Sequence, residues 1–394
     1  MNIGLTCPAS LPASQFGGIL FLCVDIAKGL SEKGNEITIF TTDLDFANNP
    51  KTFNKNLPRK EKFSNFVIDR SHVWFSYGLF YVNPGMFFRM MNSDIDLIHS
   101  IGVRSFQSFI GAIVSKRKNI PFVISDQGGL TTHPDLKTNS FLKKIFYKLQ
   151  LPMIKYIINQ ATQIIVANEY EKEIFLHFAN EKKIKIIKNG INLKNFQESK
   201  ITFKIKYKID CPFFLFLGRF TKIKGIDVLL HSISHIKDHV VMSNYKLVIM
   251  GADFGYEKEM YDMIQKLKIN KNIIVIKNPP REDVISAYND CEFLVLPSRW
   301  ELSPLTPLEG FAFKKPVIST TAHGIPYTIS NNVNSILVSP ENPKELSLAI
   351  LELIDNKNKK TELGNAGFQL VNEECNSNKM VETILKIYNN LFSK

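Results

Sequence analysis

The sequence of 394 residues has few cysteines, and none of them are spaced for a shared site. Cys7, Cys23, Cys211, Cys291 and Cys375 are odd in number and widely separated, without any C-x-x-C pair. Their spacing argues against a zinc or dithiol redox motif, and a reducing compartment fits such cysteine usage best.

Long apolar runs are also missing. No run reaches the roughly 18 residues that a membrane-spanning helix needs. The N-terminus reads MNIGLTCP and enters a strand-like pattern without the basic region, apolar stretch and small-residue cleavage site of a signal peptide. We therefore expect a cytoplasmic protein, with a peripheral position at the inner face of the cell membrane left open.

The composition is ordinary except for its charge. Hydrophobic residues make up 44% and charged residues 22% of the chain, and the net charge is +12. A positive charge favours anionic partners such as nucleic acid, an acidic membrane or a phosphorylated ligand. A lysine-rich composition without any such partner explains the charge equally well. The length predicts two domains and therefore a cleft.

Strand-like apolar runs alternate with longer helical patterns along the chain, which is typical of parallel sheets covered by helices. The polar, lysine-rich stretch Asn195–Asp210 divides two such series. The last helical pattern has Met380, Ile384 and Tyr388 on one face, so it must dock on another element. We predict an α/β protein with an N-terminal domain (1–196), a linker (197–210), a second domain (211–376) and a C-terminal helix (377–394).

Three stretches have residues suited to a phosphorylated ligand. The first is the turn that ends in Gly17-Gly18, directly before a helical pattern. Glycines let the backbone approach a ligand closely, and the amides and dipole of a helix start attract phosphate. A tight turn without any ligand explains the same glycines.

The second stretch is GRFTKIKG, which follows the strand-like FFLFL and contains Arg219 and Lys224. Open parallel sheets bind ligands beyond the carboxyl ends of their strands, and both side chains can donate to a diphosphate. A solvated basic loop is the alternative, because the chain has 49 Lys and Arg residues.

The third stretch, PSRWELSPLTPLEGFAF, contains Glu301 and Glu309. Eight residues at about 1.5 Å each would separate the two carboxylates by roughly 12 Å, too far for one acid and base pair. They are therefore expected to contact different parts of a ligand. The amides of residues 303–306 form a helix start that can bind phosphate oxygens, and Pro304 and Pro307 fit its first turn.

Taken together, these motifs resemble the retaining nucleotide-sugar glycosyltransferases of family 4, which have the GT-B fold. The resemblance covers nearly the whole chain and is strongest over 213–340. There GRFTKIKG, LVIMG, REDVISAYNDCEFLVLPS, the glutamate pair, PVIST and GIP follow in the family's order. In the first half, the Gly-Gly turn, DLIHS, PFVIS, ATQIIVANEYEKE and IKIIKNGIN match.

The resemblance implies two Rossmann-like domains facing a cleft, with the C-terminal helix returning to the first. It implies that Arg219 and Lys224 bind the donor diphosphate and offset leaving-group charge, with Glu301 on the donor sugar and Glu309 on the ribose. Arg219, Lys224 and Glu301 are then the catalytic set. The implied donor-binding set is Gly17, Gly18, Arg219, Lys224, Glu301, Ser303, Pro304, Leu305, Thr306 and Glu309.

The acceptor side departs from the family pattern. Asp126-Gln127-Gly128-Gly129 follows PFVIS, and many relatives have His or Arg at the position of Gln127 and only one glycine after it. Gln127 cannot act as a base, so the departing phosphate would deprotonate the acceptor, with Asp126 as a weaker alternative. His99 and His133 are further acceptor-side candidates, although a structural His99 and a solvated His133 explain both.

The resemblance implies no cofactor and no metal, since Arg219 and Lys224 supply the positive charge and no D-x-D cluster lies where a divalent ion would help. We therefore expect activity to persist in a chelator. The expected partners are a UDP- or GDP-sugar and a glycan or lipid-linked acceptor of the cell envelope, and not nucleic acid. Lys314, His323 and Tyr327 replace residues usual in the family, which affects fine donor contacts.

Two stretches allow a membrane interpretation. Residues 141–158 mix lysines with apolar side chains, as an interfacial helix does. A surface helix with one buried face, interrupted at Pro152, is the alternative. Residues 72–91 are rich in aromatic side chains, which core packing also explains.

Other functions stay open at this point. The same fold supports nucleotide-sugar epimerases and glycan phosphorylases. A basic nucleic-acid-binding protein and an inactive relative of the transferases are further alternatives.

Overall fold

The computed structural model describes residues 1–47, 49–127, 130–137, 140–197 and 202–392. Gly128, Gly129 and residues 198–201 of the predicted linker lie outside the described residues. The chain divides into two compact units, which we call unit 1 (1–189 with 377–394) and unit 2 (190–376). Each unit is an α/β layer structure with a largely parallel sheet.

The strands, numbered along the chain, are β1 (Asn2–Thr6), β2 (Glu36–Thr42), β3 (Lys60–Phe63), β4 (Phe66–Ser71), β5 (Phe75–Tyr77), β6 (Phe80–Val82), β7 (Leu97–Ile101), β8 (Phe122–Ser125), β9 (Gln163–Val166), β10 (Ile184–Ile186), β11 (Phe213–Leu217), β12 (Lys246–Gly251), β13 (Ile273–Lys277), β14 (Leu294–Leu296), β15 (Val317–Thr320) and β16 (Ser335–Val338). The helices are α1 (Gly18–Glu32), α2 (Gly85–Met91), α3 (Phe106–Lys118), α4 (Phe141–Gln160), α5 (Glu169–Leu176), α6 (Phe203–Lys206), α7 (Ile226–Ile236), α8 (Glu257–Lys266), α9 (Arg281–Asp290), α10 (Leu305–Ala312), α11 (Pro343–Asp355), α12 (Lys357–Glu373) and α13 (Ser377–Phe392).

The sheet of unit 1 has the strand order β10-β9-β8-β7-β1-β2-β4-β3. Its ladders are parallel apart from the β3–β4 pair, and β5 and β6 form a separate antiparallel hairpin. The chain starts in the middle of the sheet at β1, adds β2 and β4 on one side, and then crosses to β7 on the other. The strand order therefore reverses between β1 and β7, which is where doubly wound sheets bind their ligands.

The sheet of unit 2 is parallel and has the order β13-β12-β11-β14-β15-β16. This is the strand order of dinucleotide-binding folds, with the reversal between β11 and β14. Alternate residues of β11 face the two sides of the sheet, and each side has its own buried cluster, one with Phe214 and Phe216 and the other with Phe213 and Leu215. Both faces are apolar because helices cover both.

Helix α13 belongs to unit 1, as the family resemblance implied. Met380, Val381, Ile384 and Tyr388 are buried along one face, and α13 packs against α1. A Cβ placed on Gly29 of α1 would lie 2.6 Å from a methyl carbon of Val381. The glycine lets the two helices approach each other closely, so the predicted apolar face has its partner.

The boundary between the units differs from the sequence prediction, which ended the first domain at Phe196 and made 197–210 a linker. Unit 2 already begins at Gly190. Ile191, Phe196, Phe203 and Ile209 are buried in the same cluster on one face of its sheet. Sparse apolar residues in a polar segment give no periodic pattern, and for that reason the sequence suggested a connection where the chain packs on the core.

The prediction for Pro152 was wrong, since α4 runs through this proline from Phe141 to Gln160. Proline removes the hydrogen bond to the carbonyl of Lys148, one turn earlier. Pro152 and Lys148 are both exposed, so water can bond that carbonyl and the helix continues. Within the residues that the structure describes, no helix combines the length and apolar character needed to cross a bilayer.

Candidate active site

The strand-order reversal of unit 2 brings the second and third sequence stretches together. Strand β11 leads into the loop with Arg219 and Lys224, and β14, paired beside it, leads into the loop with Glu301. Both loops leave carboxyl ends of parallel strands at the same edge. The sequence predicted each loop as a ligand site, and the topology makes them neighbours.

Lys224 and Glu301 form a direct ion pair in which Lys224 Nζ donates to Glu301 Oε1. Ser298 Oγ donates to the same carboxylate oxygen at 2.9 Å. The Lys224 and Glu301 side chains are 19% and 16% exposed, which leaves both partly accessible to a ligand. The sequence predicted both residues but not their pairing, nor the part of Ser298, because side chains 77 positions apart give no local signal.

Arg219 lies over the ring of Phe254, with its guanidinium carbon 5.0 Å from the ring centre. Phe254 follows β12, so this cation–π contact joins the loops after two adjacent strands. Backbone hydrogen bonds from Phe220 to Ala252 and from Phe254 to Phe220, at 2.8 and 3.1 Å, fix the same two loops. The contact orients Arg219 without neutralising its charge.

A second ion pair joins the loop that contains Lys224 to the loop that contains Glu301. Arg299 donates to both carboxylate oxygens of Asp227 at 2.7 and 2.8 Å and to Glu341 at 3.0 Å. Burial opposes ionisation of Asp227, but the bonds and charge of Arg299 outweigh it and lower the pKa of this carboxyl. The fork geometry of arginine suits such a bidentate pair, which therefore holds the start of α7 to the loop after β14.

Gly225 explains how closely these loops approach. Its φ is +69°, and a Cβ there would lie 2.0 Å from the carbonyl oxygen of Pro297. Real Cβ atoms do not come that close to a backbone oxygen, so only glycine fits directly after Lys224. The packing of loop on loop is therefore by backbone, and it places the lysine beside Glu301.

Helix α10 begins at the predicted phosphate-binding segment. Pro304 is its N-cap residue and makes no side-chain cap, so Leu305 and Thr306 begin the helix without one. Ser303 and Pro304 precede this start in the loop from Glu301. The first-turn amides and the positive end of the helix dipole form an anion-attracting feature at the edge where Lys224 and Arg219 also lie.

Glu309 lies in α10 and is 7% exposed. Arg281 Nη2 donates to one of its carboxylate oxygens at 2.9 Å, and the Tyr288 hydroxyl donates to the other at 2.6 Å. Burial and the adjacent Glu309 carboxylate raise the pKa of Tyr288 well above its usual range, so the hydroxyl keeps its proton. Glu301 and Glu309 thus have separate partners, and the sequence missed Arg281 and Tyr288, seven positions apart on α9.

Two family departures lie at left-handed backbone positions. Lys314 and His323 have φ of +55° and +52°, and both replace a glycine that the family resemblance leads one to expect. A left-handed non-glycine residue costs about 1 kcal/mol. The His323 ring is 6.5 Å from that of Trp300, next to Glu301, while Tyr327 is 46% exposed.

The glycine turn of unit 1 follows β1 at the corresponding reversal. Gly17 has φ of +107°, and a Cβ there would have no heavy atom within 4 Å. Gly18 begins α1, which has no side-chain cap at its start. The turn needs glycine for its backbone angles and is not crowded, so the space beside it is open to a ligand.

His99 is fully buried in β7. Its Nδ1 lies 2.6 Å from the Tyr388 hydroxyl of α13, and its Nε2 lies 3.0 Å from Ser125 Oγ. Burial lowers the pKa of His99 to about 3, so the ring is neutral. Both nitrogens are engaged within unit 1, which favours the structural interpretation over acceptor contact.

Asp126 and Gln127 are the other acceptor-side candidates of the loop after β8. Asp126 is 1% exposed and accepts from the amides of Val103 at 3.2 Å and Leu130 at 2.8 Å. Gln127 and Asn189 exchange side-chain amide bonds of 3.3 and 3.0 Å. Asp126 therefore fixes the loops after β7 and β8, and Gln127 is partly exposed above them.

His133 and Glu171 complete this edge. His133 is partly exposed, and its carbonyl accepts from Leu136 N at 3.0 Å.

Glu171, in the first turn of α5, was not singled out from the sequence although its motif ANEYEKE was. It is 1% exposed, its Oε2 accepts from Ala167 N at 2.6 Å, and Oε1 has no partner. Burial, followed by the charge of Asp126, raises the pKa of Glu171 well above its usual range.

Among the described residues, no group of three or more His, Cys, Asp or Glu side chains is placed to bind a metal ion. The expectation of metal-independent activity stays a prediction, because only an assay tests it.

Two family models and a solved structure are similar to this chain. A model described as Glycosyltransferase Family 4 matches residues 16–195, and one described as Glycosyl transferases group 1 matches residues 197–370. The crystal structure of HepE from Anabaena in complex with UDP-glucose has a TM-score of 0.77 at 16% identity, over 99% of this chain and 100% of that chain. This is a GT-B fold, as the sequence predicted.

Curated relatives agree with the family models. An uncharacterized glycosyltransferase from Methanocaldococcus jannaschii is 29% identical over 304 residues, covering 76% of this chain and 77% of that protein. A capsular polysaccharide biosynthesis glycosyltransferase from Staphylococcus aureus is 27% identical over 241 residues, covering 58% and 62%. The chain is thus a glycosyltransferase enzyme, and it belongs to glycosyltransferase family 4.

Proposed function

We propose that this glycosyltransferase takes a sugar from a nucleoside diphosphate donor and transfers it with retention of configuration at the anomeric carbon. The observation that carries the proposal is the meeting of Arg219, the Lys224–Glu301 pair and the start of α10 at one edge of the unit 2 sheet. Two positively charged side chains and the backbone amides of the first helical turn suit a diphosphate. A carboxylate beside them suits the hydroxyls of the sugar that the diphosphate bears.

The chemistry needs charge stabilisation more than an acid. As the bond from the anomeric carbon to the diphosphate breaks, positive charge develops on the sugar ring and negative charge on the leaving phosphate. Arg219 and Lys224 would stabilise that leaving group, and fixed charges of this kind act mainly on the transition state. Glu301, held by Ser298 and Lys224, would accept hydrogen bonds from the sugar hydroxyls.

Glu309 is proposed to bind the ribose of the donor. Arg281 and Tyr288 each occupy one of its carboxylate oxygens, yet an ionised carboxylate has about four acceptor sites in all. Two hydroxyls can therefore still be accepted by a side chain whose orientation is already fixed. The UDP-glucose bound to HepE supports a UDP-sugar, and a GDP-sugar is the alternative donor.

The proposed acceptor is a hydroxyl of a glycan or of a lipid-linked sugar in cell-envelope synthesis. The capsular polysaccharide relative supports this class. His99 is poorly placed to take the acceptor proton because it is buried and both of its ring nitrogens have partners. Asp126 is poorly placed because it is buried and accepts hydrogen bonds from two backbone amides. The departing phosphate is therefore the proposed base, and the reaction is proposed to occur in the cytoplasm.

No cofactor and no metal are proposed, because Arg219 and Lys224 supply the charge that a divalent ion would otherwise bring. Turnover should then be unchanged in excess EDTA. Complete loss of turnover in EDTA, restored by a divalent ion, would contradict this part of the proposal.

The donor site is tested by thermal unfolding in the presence of UDP, GDP, ADP, dTDP or CMP. A ligand that binds the folded state at 100 times its Kd adds about 2.7 kcal/mol of stability. We expect one nucleoside diphosphate to raise the Tm of the wild type and of Lys222→Ala, an exposed lysine in the same loop. The rise should be lost in Arg219→Ala combined with Glu309→Ala.

An absence of any Tm shift at millimolar nucleotide would contradict the donor site. Stereochemistry is tested separately, by following the anomeric proton of the first product by NMR with an α-linked donor. A product of the opposite configuration would contradict retention and leave the donor site unaffected.

A further inference from the structure

Unit 1 exposes large apolar side chains on two elements that the sheet does not use. In helix α4, Phe141, Leu142 and Leu149 are 73%, 72% and 72% exposed. In the segment of hairpin β5–β6, Trp74 and Phe75 are 74% and 57% exposed. Single exposed apolar residues are normal on a soluble protein, but such a concentration marks an interaction site.

The hairpin and the helix form one surface. Phe146 of α4 lies 4.6 Å from the ring of Tyr77 and 5.7 Å from that of Phe80, one on each strand of the hairpin. Phe75 shares a ribbon face with Tyr77, since alternate strand residues point to the same side. The exposed ring of Phe75 therefore continues onto the helix, and Trp74 is exposed directly before it, at the start of β5. We call this combined area the hairpin–helix surface.

The apolar side chains of α4 form a stripe. Leu142, Ile145 and Leu149 are spaced three and four residues apart, so they lie on one side of the helix. Lys143, Lys144 and Lys148 are exposed beside this stripe, and Lys155 is exposed one turn past Pro152. An apolar stripe flanked by lysines is the pattern of a helix that lies in a membrane interface.

The two segments that form this surface have charge of one sign apart from a paired arginine. Residues 73–91 and 141–160 contain no Asp or Glu residue and four lysines, while Arg89 is paired with Asp69. Lys116, at the end of α3, lies over the ring of Tyr156 of α4 at 5.9 Å, which places one more cation against this helix. A protein partner would need an acidic face with a large apolar centre, while an anionic bilayer offers both in any orientation.

We propose that the hairpin–helix surface docks onto an anionic lipid bilayer, with Trp74, Phe75 and the α4 stripe inserted among the lipids and the lysines at the headgroups. The two stretches that separately allowed a membrane interpretation are one docking surface. The proposal does not depend on the identity of the donor or acceptor. It brings unit 1, and not unit 2, into contact with the membrane.

The chain has a natural reporter for this docking. It contains two tryptophans, of which Trp300 is 7% exposed and Trp74 is 74% exposed. Transfer of an exposed indole from water to lipid shifts its fluorescence to shorter wavelength, and buried Trp300 gives no such change. We expect a blue shift with phosphatidylcholine vesicles that contain phosphatidylglycerol and none with phosphatidylcholine alone. Trp74→Phe should lose the shift but still co-sediment with the anionic vesicles.

Matched variants separate charge from apolar contact. Lys143→Glu with Lys144→Glu and Lys148→Glu should reduce vesicle affinity by about 100-fold or more, because each of the three juxtamembrane lysines contributes about fivefold. Leu142→Ser with Leu149→Ser should remove binding at high salt, where the electrostatic contribution is screened. The control Lys266→Glu, Lys271→Glu and Lys357→Glu makes the same charge change at exposed positions of unit 2 and should bind like the wild type.

Three results would overturn the proposal. The first is no co-sedimentation of the wild type with anionic vesicles at low salt. The second is an equal loss of binding in the unit 2 control, which would reduce the effect to net charge. The third is a lipid-free dimer that the Leu142→Ser and Leu149→Ser variant converts to a monomer, since a second copy would then occupy the surface.

Discussion

The two units share a strand order at their centres but differ in the charge at the edge where that order reverses. In unit 2 the edge has three ion pairs: Lys224 with Glu301, Arg281 with Glu309 and Arg299 with Asp227. In unit 1 the corresponding region has His99 with a pKa of about 3 and Glu171 with a raised pKa, both buried. The same topology thus supports an edge of ion pairs in one unit and an edge of buried polar side chains in the other.

The difference shows that side chains, and not the shared topology, decide the charge at each edge. Paired charges at the unit 2 edge are held by second partners, such as Ser298 and Tyr288. Under the proposed function, they would bind a doubly charged diphosphate with side chains that are already oriented. The unit 1 edge offers hydroxyl, amide and backbone groups, which under the proposed function would suit an uncharged sugar acceptor. Substitutions that add or remove charge at each edge test this contrast.

The largest effect is expected from Lys224→Ala. Loss of a fixed cation from the leaving-group side should lower kcat by about 100- to 1000-fold, as for other groups that stabilise developing negative charge. Lys222→Ala, two residues earlier in the same loop and exposed, should have less than a twofold effect. Initial rates with saturating donor measure both, and equal effects from the two lysines would show that general loop charge, not the Glu301 pair, is responsible.

A smaller effect is expected from His99, on stability at low pH. Its folded pKa of about 3 lies below the unfolded value of about 6.5, so its contribution is complete above pH 6.5 and is lost as pH falls toward 3. At pH 5 the wild type should have lost about 2 kcal/mol through this residue. Urea unfolding between pH 7 and pH 5 should show this loss in the wild type and in exposed His231→Gln, and not in His99→Gln. The same slope in all three would mean that His99 is not buried as a neutral ring.

The smallest effect is expected from Glu171→Gln, and it has the opposite pH dependence. A carboxyl whose folded pKa is raised contributes stability below its ordinary pKa, and this is lost as pH rises through the folded pKa. The glutamine cannot ionise, so the Tm of Glu171→Gln should rise relative to the wild type by on the order of 2 °C as pH increases. Glu169→Gln, exposed in the same helix turn, should show no such trend. If the Tm values of the wild type, Glu171→Gln and Glu169→Gln changed with pH in the same way, Glu171 would be in contact with water.

The sequence predicted the α/β layers, the alternation of strands and helices and the three candidate loops, because these depend on local periodicity and on glycine or proline at turns. It also predicted that Glu301 and Glu309 contact different parts of a ligand, and the structure gives the two carboxylates different side-chain partners. Pairings between distant positions were not predictable: Lys224 with Glu301, or Arg281 and Tyr288 with Glu309, requires knowledge of which strands are neighbours. Buried polar residues were the other gap, since the motif of Glu171 gave no sign that one oxygen would be buried without a partner.

The segment 197–210 and Pro152 show where local rules mislead. A few apolar side chains without period, such as Phe203 and Ile209, were assigned to a connection although both are buried. Proline in a helix removes one hydrogen bond, and an exposed helix face tolerates that loss. In both cases the structure of the segment depends on its surroundings: the core that covers Phe203 and Ile209, and the solvent that reaches Pro152. The sequence of the segment alone gives no information about these surroundings.

Helix α13 has a consequence for the order in which the chain can fold during synthesis. Unit 2 is continuous, from Gly190 to Asn376, while unit 1 is completed by residues made after unit 2. Until Tyr388 reaches His99 and Val381 reaches Gly29, the outer face of α1 stays uncovered. On the ribosome, unit 2 can therefore finish folding before unit 1. A fragment that stops at Asn189 would leave the apolar face of α1 exposed, so it would bind chaperones or aggregate.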